Sequence, residues 1–193
     1  MKKRGVGNKS KSVKNKSAGR NVSRGRNNPE KVEHKPYMLL VFLLFVFAVA
    51  FIGNLFVGDG VNSEWYQSVR SDLAPPSWAF GIVWVILYFL IAVSLYIAWI
   101  NVKTKKDERN LFIIYGVNLV ANGLWTYLFF SLKNPLLVFA DIILIWLTII
   151  CMIVCTWKIS RKASLLLIPY FLWVTFRSTE FHLLFKEYLA ILQ

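Results

Sequence analysis

A chain of 193 residues that is 56% hydrophobic and carries a formal net charge of +13 is too apolar for a soluble domain of its size. Its charge is unevenly held: residues 1–36 carry about half of all Lys and Arg, and the remainder is a series of apolar runs separated by short polar loops. These features exclude a basic globular domain and indicate a membrane protein with a basic tail.

Residues 1–36 are dominated by Lys, Arg, Gly, Ser and Asn, so they offer no core and are expected to be disordered. The tail either sets topology from the cytoplasmic side or also holds anionic lipid headgroups, at ~1 kcal/mol per basic residue near the surface. It has no interleaved aromatic residues and no recognisable nucleic-acid-binding pattern, so nucleic acid is not an expected partner.

The transmembrane domain then covers residues 37–193, with five helices expected at about 37–57, 78–100, 111–132, 136–157 and 164–185. Ala48-Val49-Ala50 follows a basic stretch and an apolar one, as in a cleavable leader. The basic region is too long and the apolar run exceeds the usual ~7–15 residues, so the first span is retained. Loops are expected at 58–77, at 101–110, at Lys133-Asn134-Pro135 and around Lys158 to Lys162. The tail, second loop and fourth loop hold about nineteen of the 23 basic residues. The positive-inside rule puts them all in the cytoplasm, with the C-terminus outside, and the plasma membrane of a prokaryote is the expected location.

The stretch from Pro75 to Trp99 is the most distinctive. Two prolines and Ser77 suit a helix start, and an uncharged run studded with Trp78, Trp84, Tyr88, Tyr96 and Trp99 follows. Trp84 and Tyr88 are four apart and share a face. Such a stripe either packs against neighbouring helices or lines a flat pocket between them.

Polar side chains in hydrocarbon are costly, so their positions are informative. Asn118, Asn122 and Trp125 share one face of the third span. The amides either bind helix to helix or form a hydrogen-bonding wall beside a ligand. Asp141 is expected to reach the interface beside Lys133 or Arg70, with a buried pocket carboxylate as the alternative. Arg177 and Glu180 are three apart: they either neutralise each other or leave Arg177 to meet an anionic ligand group, which its planar fork suits. His182 is isolated and a weak candidate for a metal or haem ligand. Pro169 is expected to kink the fifth span, beside Tyr170 and Trp173. Cys151 and Cys155 give no disulfide framework or zinc spacing and read as small packing residues.

Taken in order, Gly53-Asn54, Trp65-Tyr66, Pro75-Pro76-Ser77-Trp78, Val83-Trp84, Leu87-Tyr88, Asn122, Trp125, Phe129-Phe130, Pro169-Tyr170, Trp173 and Phe176 form a pattern that resembles the TspO/MBR family of tryptophan-rich sensory proteins and translocator proteins. The resemblance covers most of residues 53–181. It implies a five-transmembrane-helix bundle, often a homodimer, whose members bind porphyrin or a haem-like tetrapyrrole, and in some cases sterols. By motif position it implies a ligand site lined by Trp84, Tyr88, Asn122, Trp125 and Trp173. The chain departs from the family pattern at Ser71-Asp72-Leu73-Ala74, at Arg177 and at Glu180-Phe181, and its basic tail is additional.

The expected function is therefore a receptor, sensor or carrier for a tetrapyrrole or another apolar aromatic molecule. Flat rings would stack on Trp84, Trp125 and Trp173, with Asn122 and Arg177 at the polar edge. A scaffold acting through a protein partner is one alternative, and light-dependent porphyrin breakdown is another. No nucleophile–base pair, metal cluster or cofactor motif in the sequence supports dedicated catalysis.

Overall fold

The computed structural model describes the backbone over residues 35–69 and 77–191, and all side chains there except those at 65, 68, 69, 77 and 180–191. The expectations for the basic tail before Lys35, for Arg70 and residues 71–76, and for the side chains of Trp65, Ser77, Glu180, His182 and Lys186 lie outside these described residues.

Among the described residues the regular structure is helical. Helix α1 spans Tyr37–Leu55, and a short turn at Gly60–Asn62 leads to α2, Glu64–Val69. Then come α3 (Ser77–Asn101), α4 (Lys105–Thr126), α5 (Pro135–Ile159), α6 (Arg161–Leu165) and α7 (Ile168–Ile191). Four helical stretches are long and apolar enough to cross a bilayer: Tyr37–Leu55, Trp78–Asn101, Lys105–Ser131 and Pro135–Ile159. Helix α7 is the fifth long element. At about 1.5 Å per residue, the 25 residues of α3 exceed a hydrocarbon core of about 30 Å.

Contacts between elements give the bundle a cyclic order. Helix α1 packs on α3 and α4, α4 on α5, and α5 on α7. Helices α3 and α7 complete the ring differently: their backbones make little direct approach, and aromatic side chains bridge the seam. The inward faces carry Val46, Ile91, Leu119, Ile149, Leu167 and Tyr170, all fully buried. The outward faces expose Leu44, Phe51, Val85, Val120, Leu147 and Leu172. An apolar exterior around a packed interior is what hydrocarbon solvent requires. Helices α1 and α4 approach closely where both are small: a Cβ on Gly53 would meet Thr126 Oγ1 at 3.3 Å and the Gly123 Cα at 3.6 Å.

Several boundaries differ from the sequence expectation. Residues 105–110 do not form a loop; they are the first turns of α4. Thr104 caps this helix by accepting from the Asp107 N–H at 3.1 Å, and Asp107 and Glu108 place negative charge in its first turn. The last span begins later and ends later than 164–185. Residues 161–165 form the separate α6, capped by Ser160, and α7 runs to Ile191. Pro169 therefore does not kink the fifth span. It is the second residue of α7, where a missing N–H leaves no helical bond broken. Cys151 and Cys155 are not packing residues either; both are free and exposed on the outer face of α5.

Candidate functional site

The inner, α6-proximal part of the bundle settles its polar groups internally. Ser94 donates to the Ala163 carbonyl at 2.7 Å, and its Oγ lies 2.7 Å from the Tyr115 hydroxyl, which is 3.3 Å from Thr156 Oγ1. All three side chains are buried.

One level further out, three helices meet at Tyr170. Asn122 Nδ2 donates to the Tyr170 hydroxyl at 2.6 Å, and that hydroxyl donates to Asn118 Oδ1 at 3.1 Å. Asn118 Nδ2 donates onward to Thr148 Oγ1 at 2.9 Å. Of the two roles open to the Asn pair, the helix-to-helix one is realised here. The Asn122 nitrogen also donates to the Asn118 carbonyl, and its Oδ1 carries none of these bonds.

Above this layer the aromatic rings gather. On α3, Phe80, Trp84 and Tyr88 recur every four residues, and the Trp84 ring lies 6.0 Å from Phe80 and 5.3 Å from Tyr88. Trp84 meets Tyr170 of α7 edge-on at 6.2 Å, and Phe80 meets Trp173 at 6.4 Å. Arg177, one turn beyond Trp173, places its guanidinium 5.6 Å from the centre of the Phe80 ring. Across the bundle, Trp125 stacks flat on Phe129 at 4.9 Å with planes 10° apart. Phe129 lies in a π-helical turn, Tyr127–Ser131, in which the Leu132 N–H reaches the Tyr127 carbonyl at 3.0 Å. Extra-wide turns of this kind shift side chains relative to a continuous α-helix and are frequent at functional sites.

The short α2 covers this second group. Tyr66 packs edge-on to Phe129 at 6.3 Å and lies 5.9 Å from Phe130. Gly60 makes the approach possible, because a Cβ there would meet Phe130 Cδ1 at 2.5 Å.

Four buried polar atoms of the described side chains have no hydrogen-bond partner: the indole nitrogens of Trp84 and Trp173 and both carboxylate oxygens of Asp141. The two indoles belong to the ring group between α3 and α7, and Asp141 lies on the α5 stripe whose Val138 and Ile142 pack against Phe129. Asp141 is 5% exposed, on the same inward stripe as Val138, Ile142 and Ile145. Its expected pairing with Lys133 is thus corrected. Helix α5 starts at Pro135, so Asp141 is nearly two turns inside it and faces inward, while Lys133 is exposed in the preceding turn.

Of the residues singled out from sequence, Trp84, Tyr88, Trp173 and Arg177 fall in the group around Phe80 and Tyr170. Asn122 joins it through Tyr170, and Trp125 belongs to the adjoining group with Phe129. Phe80 is not among the residues singled out, Phe129 enters only through the family pattern, and the inward Asp141 matches the alternative to an interfacial pair. The four-residue spacing of Phe80, Trp84 and Tyr88 was available as a signal for the first, and the Val138–Ile142–Ile145 stripe for the last.

Comparison with known proteins agrees with this architecture. The model of the TspO/MBR family matches residues 42–179. A tryptophan-rich protein TspO from Archaeoglobus fulgidus is 41% identical over 143 residues, covering 72% of this chain and 90% of that protein. An uncharacterized membrane protein, YtaB, from Bacillus subtilis is 36% identical over 139 residues, covering 72% and 87%. The human translocator protein is 27% identical over 132 residues, covering 67% and 77%.

Proposed function

The chain belongs to the TspO/MBR family, and on that premise we propose that it binds a porphyrin or another flat aromatic molecule as a receptor, sensor or carrier. The observation that carries this reading is the pair of buried indole N–H groups, on Trp84 and Trp173, with no acceptor. A buried donor left unpaired costs about 1–3 kcal/mol, and both stand at the seam between α3 and α7, which rings bridge in place of close backbone packing.

A flat ligand at this seam stacks on Trp84 and Trp173 and extends toward the Trp125–Phe129 pair. Its acceptor edge takes the two indole donors, and Arg177 meets an anionic substituent such as a carboxylate. A tetrapyrrole supplies both an extended π-surface and such acceptor groups. Asn122 and Tyr170 form the closed floor beneath it, and α2 forms the cover. With the basic loops in the cytoplasm, the cover faces outside and the ligand enters from that side. Two relatives carry the names tryptophan-rich sensory protein and translocator protein, which suit sensing and carriage respectively.

Titration of the purified protein with protoporphyrin tests the reading. Tryptophan fluorescence should be quenched saturably in the wild type. Trp84→Ala should weaken binding by about tenfold, the loss of one favourable ring contact with its donor. Trp157→Ala should not, because Trp157 lies at the opposite end of the bundle under the Arg161 guanidinium. Equal affinity in the two variants would sink the proposed location.

A further inference from the structure

The two indole donors lack acceptors, and on α5, which packs against α7, a carboxylate lacks donors. Asp141 shares its inward stripe on α5 with Val138 and Ile142, which pack against Leu128 and Phe129, and none of these side chains offers a hydrogen-bond donor. The Tyr170 hydroxyl is already committed, donating to Asn118 Oδ1 and accepting from Asn122 Nδ2. Both Asp141 oxygens are therefore buried with no donor among the described side chains. Neither indole reaches them. A carboxyl group held in hydrocarbon without a partner is expensive, and a donor from outside the chain would offset that cost.

We propose that Asp141 is a specificity-determining residue of the ligand site, accepting from an N–H or cationic nitrogen on the aromatic ligand. This rests on the ligand-binding reading above and adds a chemical class to it. The occupant carries a nitrogen donor on the side facing α5 as well as an acceptor edge toward α3 and α7. A charge-assisted hydrogen bond to a carboxylate is among the strongest polar contacts available in such a setting. The site should therefore discriminate among rings of one shape by their donors.

The test uses the full chain in nanodiscs of zwitterionic lipid and two probes with the same three fused rings. 9-Aminoacridine is a cation with N–H donors, and 9-methylanthracene is neutral and has none. Wild type should bind the acridine more tightly by about tenfold or more, as one charge-assisted hydrogen bond supplies. Asp141→Asn should reduce that preference, and Asp141→Leu should abolish it while retaining the anthracene. In the absence of probe, Asp141→Leu should melt at a temperature equal to or above wild type, because it removes an unmatched buried polar group; a merely structural carboxyl group predicts a lower one. A preference unchanged in Asp141→Leu would overturn the proposal and leave the ligand site standing. Loss of both probes together with a lower melting temperature would assign the carboxylate a structural role and overturn it as well. Failure of wild type to bind either probe while protoporphyrin still quenches its tryptophan fluorescence would overturn this proposal alone; failure with all three would overturn the ligand reading as well.

Discussion

Two levels of the same bundle treat their polar groups in opposite ways. Around Tyr115 and Tyr170, hydroxyls and amides from α3, α4, α5, α7 and the start of α6 close on one another. Around Trp84, Trp173 and Asp141, one level further out, buried donors and acceptors stand without partners. The backbone elements are the same helices, and the difference lies in what their side chains meet. A membrane protein gains little from apolar contact between helices, since lipid tails are equally apolar, so a complete polar lattice is a means of holding helices in register. An incomplete one is suited to holding something else.

That contrast predicts the largest effect at the closed level. Asn118→Leu leaves the Tyr170 proton, the Asn122 amide and Thr148 to find other partners inside the bundle. Stability should fall toward the upper end of about 1–3 kcal/mol, read as a lower midpoint in detergent or thermal unfolding. A neutral outcome would mean that the lattice is no more than incidental to register.

A matched pair of tryptophan substitutions sharpens the comparison at an intermediate size. Trp146 donates to Thr175 Oγ1 at 3.0 Å, whereas Trp84 has no acceptor. Trp146→Phe should therefore cost about 1 kcal/mol of stability and leave protoporphyrin affinity unchanged. Trp84→Phe keeps an aromatic ring and discards only an unused donor. It should leave the midpoint of the free protein where it was and weaken the ligand by several-fold. If Trp84→Phe destabilises the free protein as much as Trp146→Phe does, the two levels do not differ in the way their hydrogen bonds indicate.

Much of this architecture is legible in the sequence, for unequal reasons. The long apolar runs announce four spans directly, because lipid imposes one length and one composition on a helix. The start of α4 does not show, since Lys105 to Asn110 look like a cytoplasmic loop by charge, while Thr104 and Asp107 form a cap that charge counting overlooks. The stripe of Trp84 and Tyr88 is readable because both lie on one helix, where periodicity decides which side chains are neighbours. The Tyr170 junction is not, because its three partners come from α4 and α7, some fifty residues apart. Asp141 is the clearest case. Its place in the chain suggests an interfacial ion pair first and a buried carboxylate second, and the register of α5 against its neighbours decides for the second.

The smallest expected effect concerns the cover. Gly60 is seated against Phe130, and Tyr66 rests on Phe129 and Phe130, so α2 touches the ring that extends the Trp125 stack. Gly60→Val forces Phe130 to move or the turn to lift, because even a single Cβ is too close. The contact lies outside both the hydrogen-bonded lattice and the seam between α3 and α7, and Phe130 is a side chain that can move, so the midpoint should fall by no more than about 1 kcal/mol, the low end for overpacking, and equilibrium affinity should hardly change. Ligand release should nevertheless accelerate, read by stopped-flow displacement of protoporphyrin, because a cover acts on the path and leaves the bound state nearly untouched. A change in affinity with no change in release rate would place the Gly60 turn in the site itself, and the open level would then extend further toward the outer surface than the unpaired indoles mark.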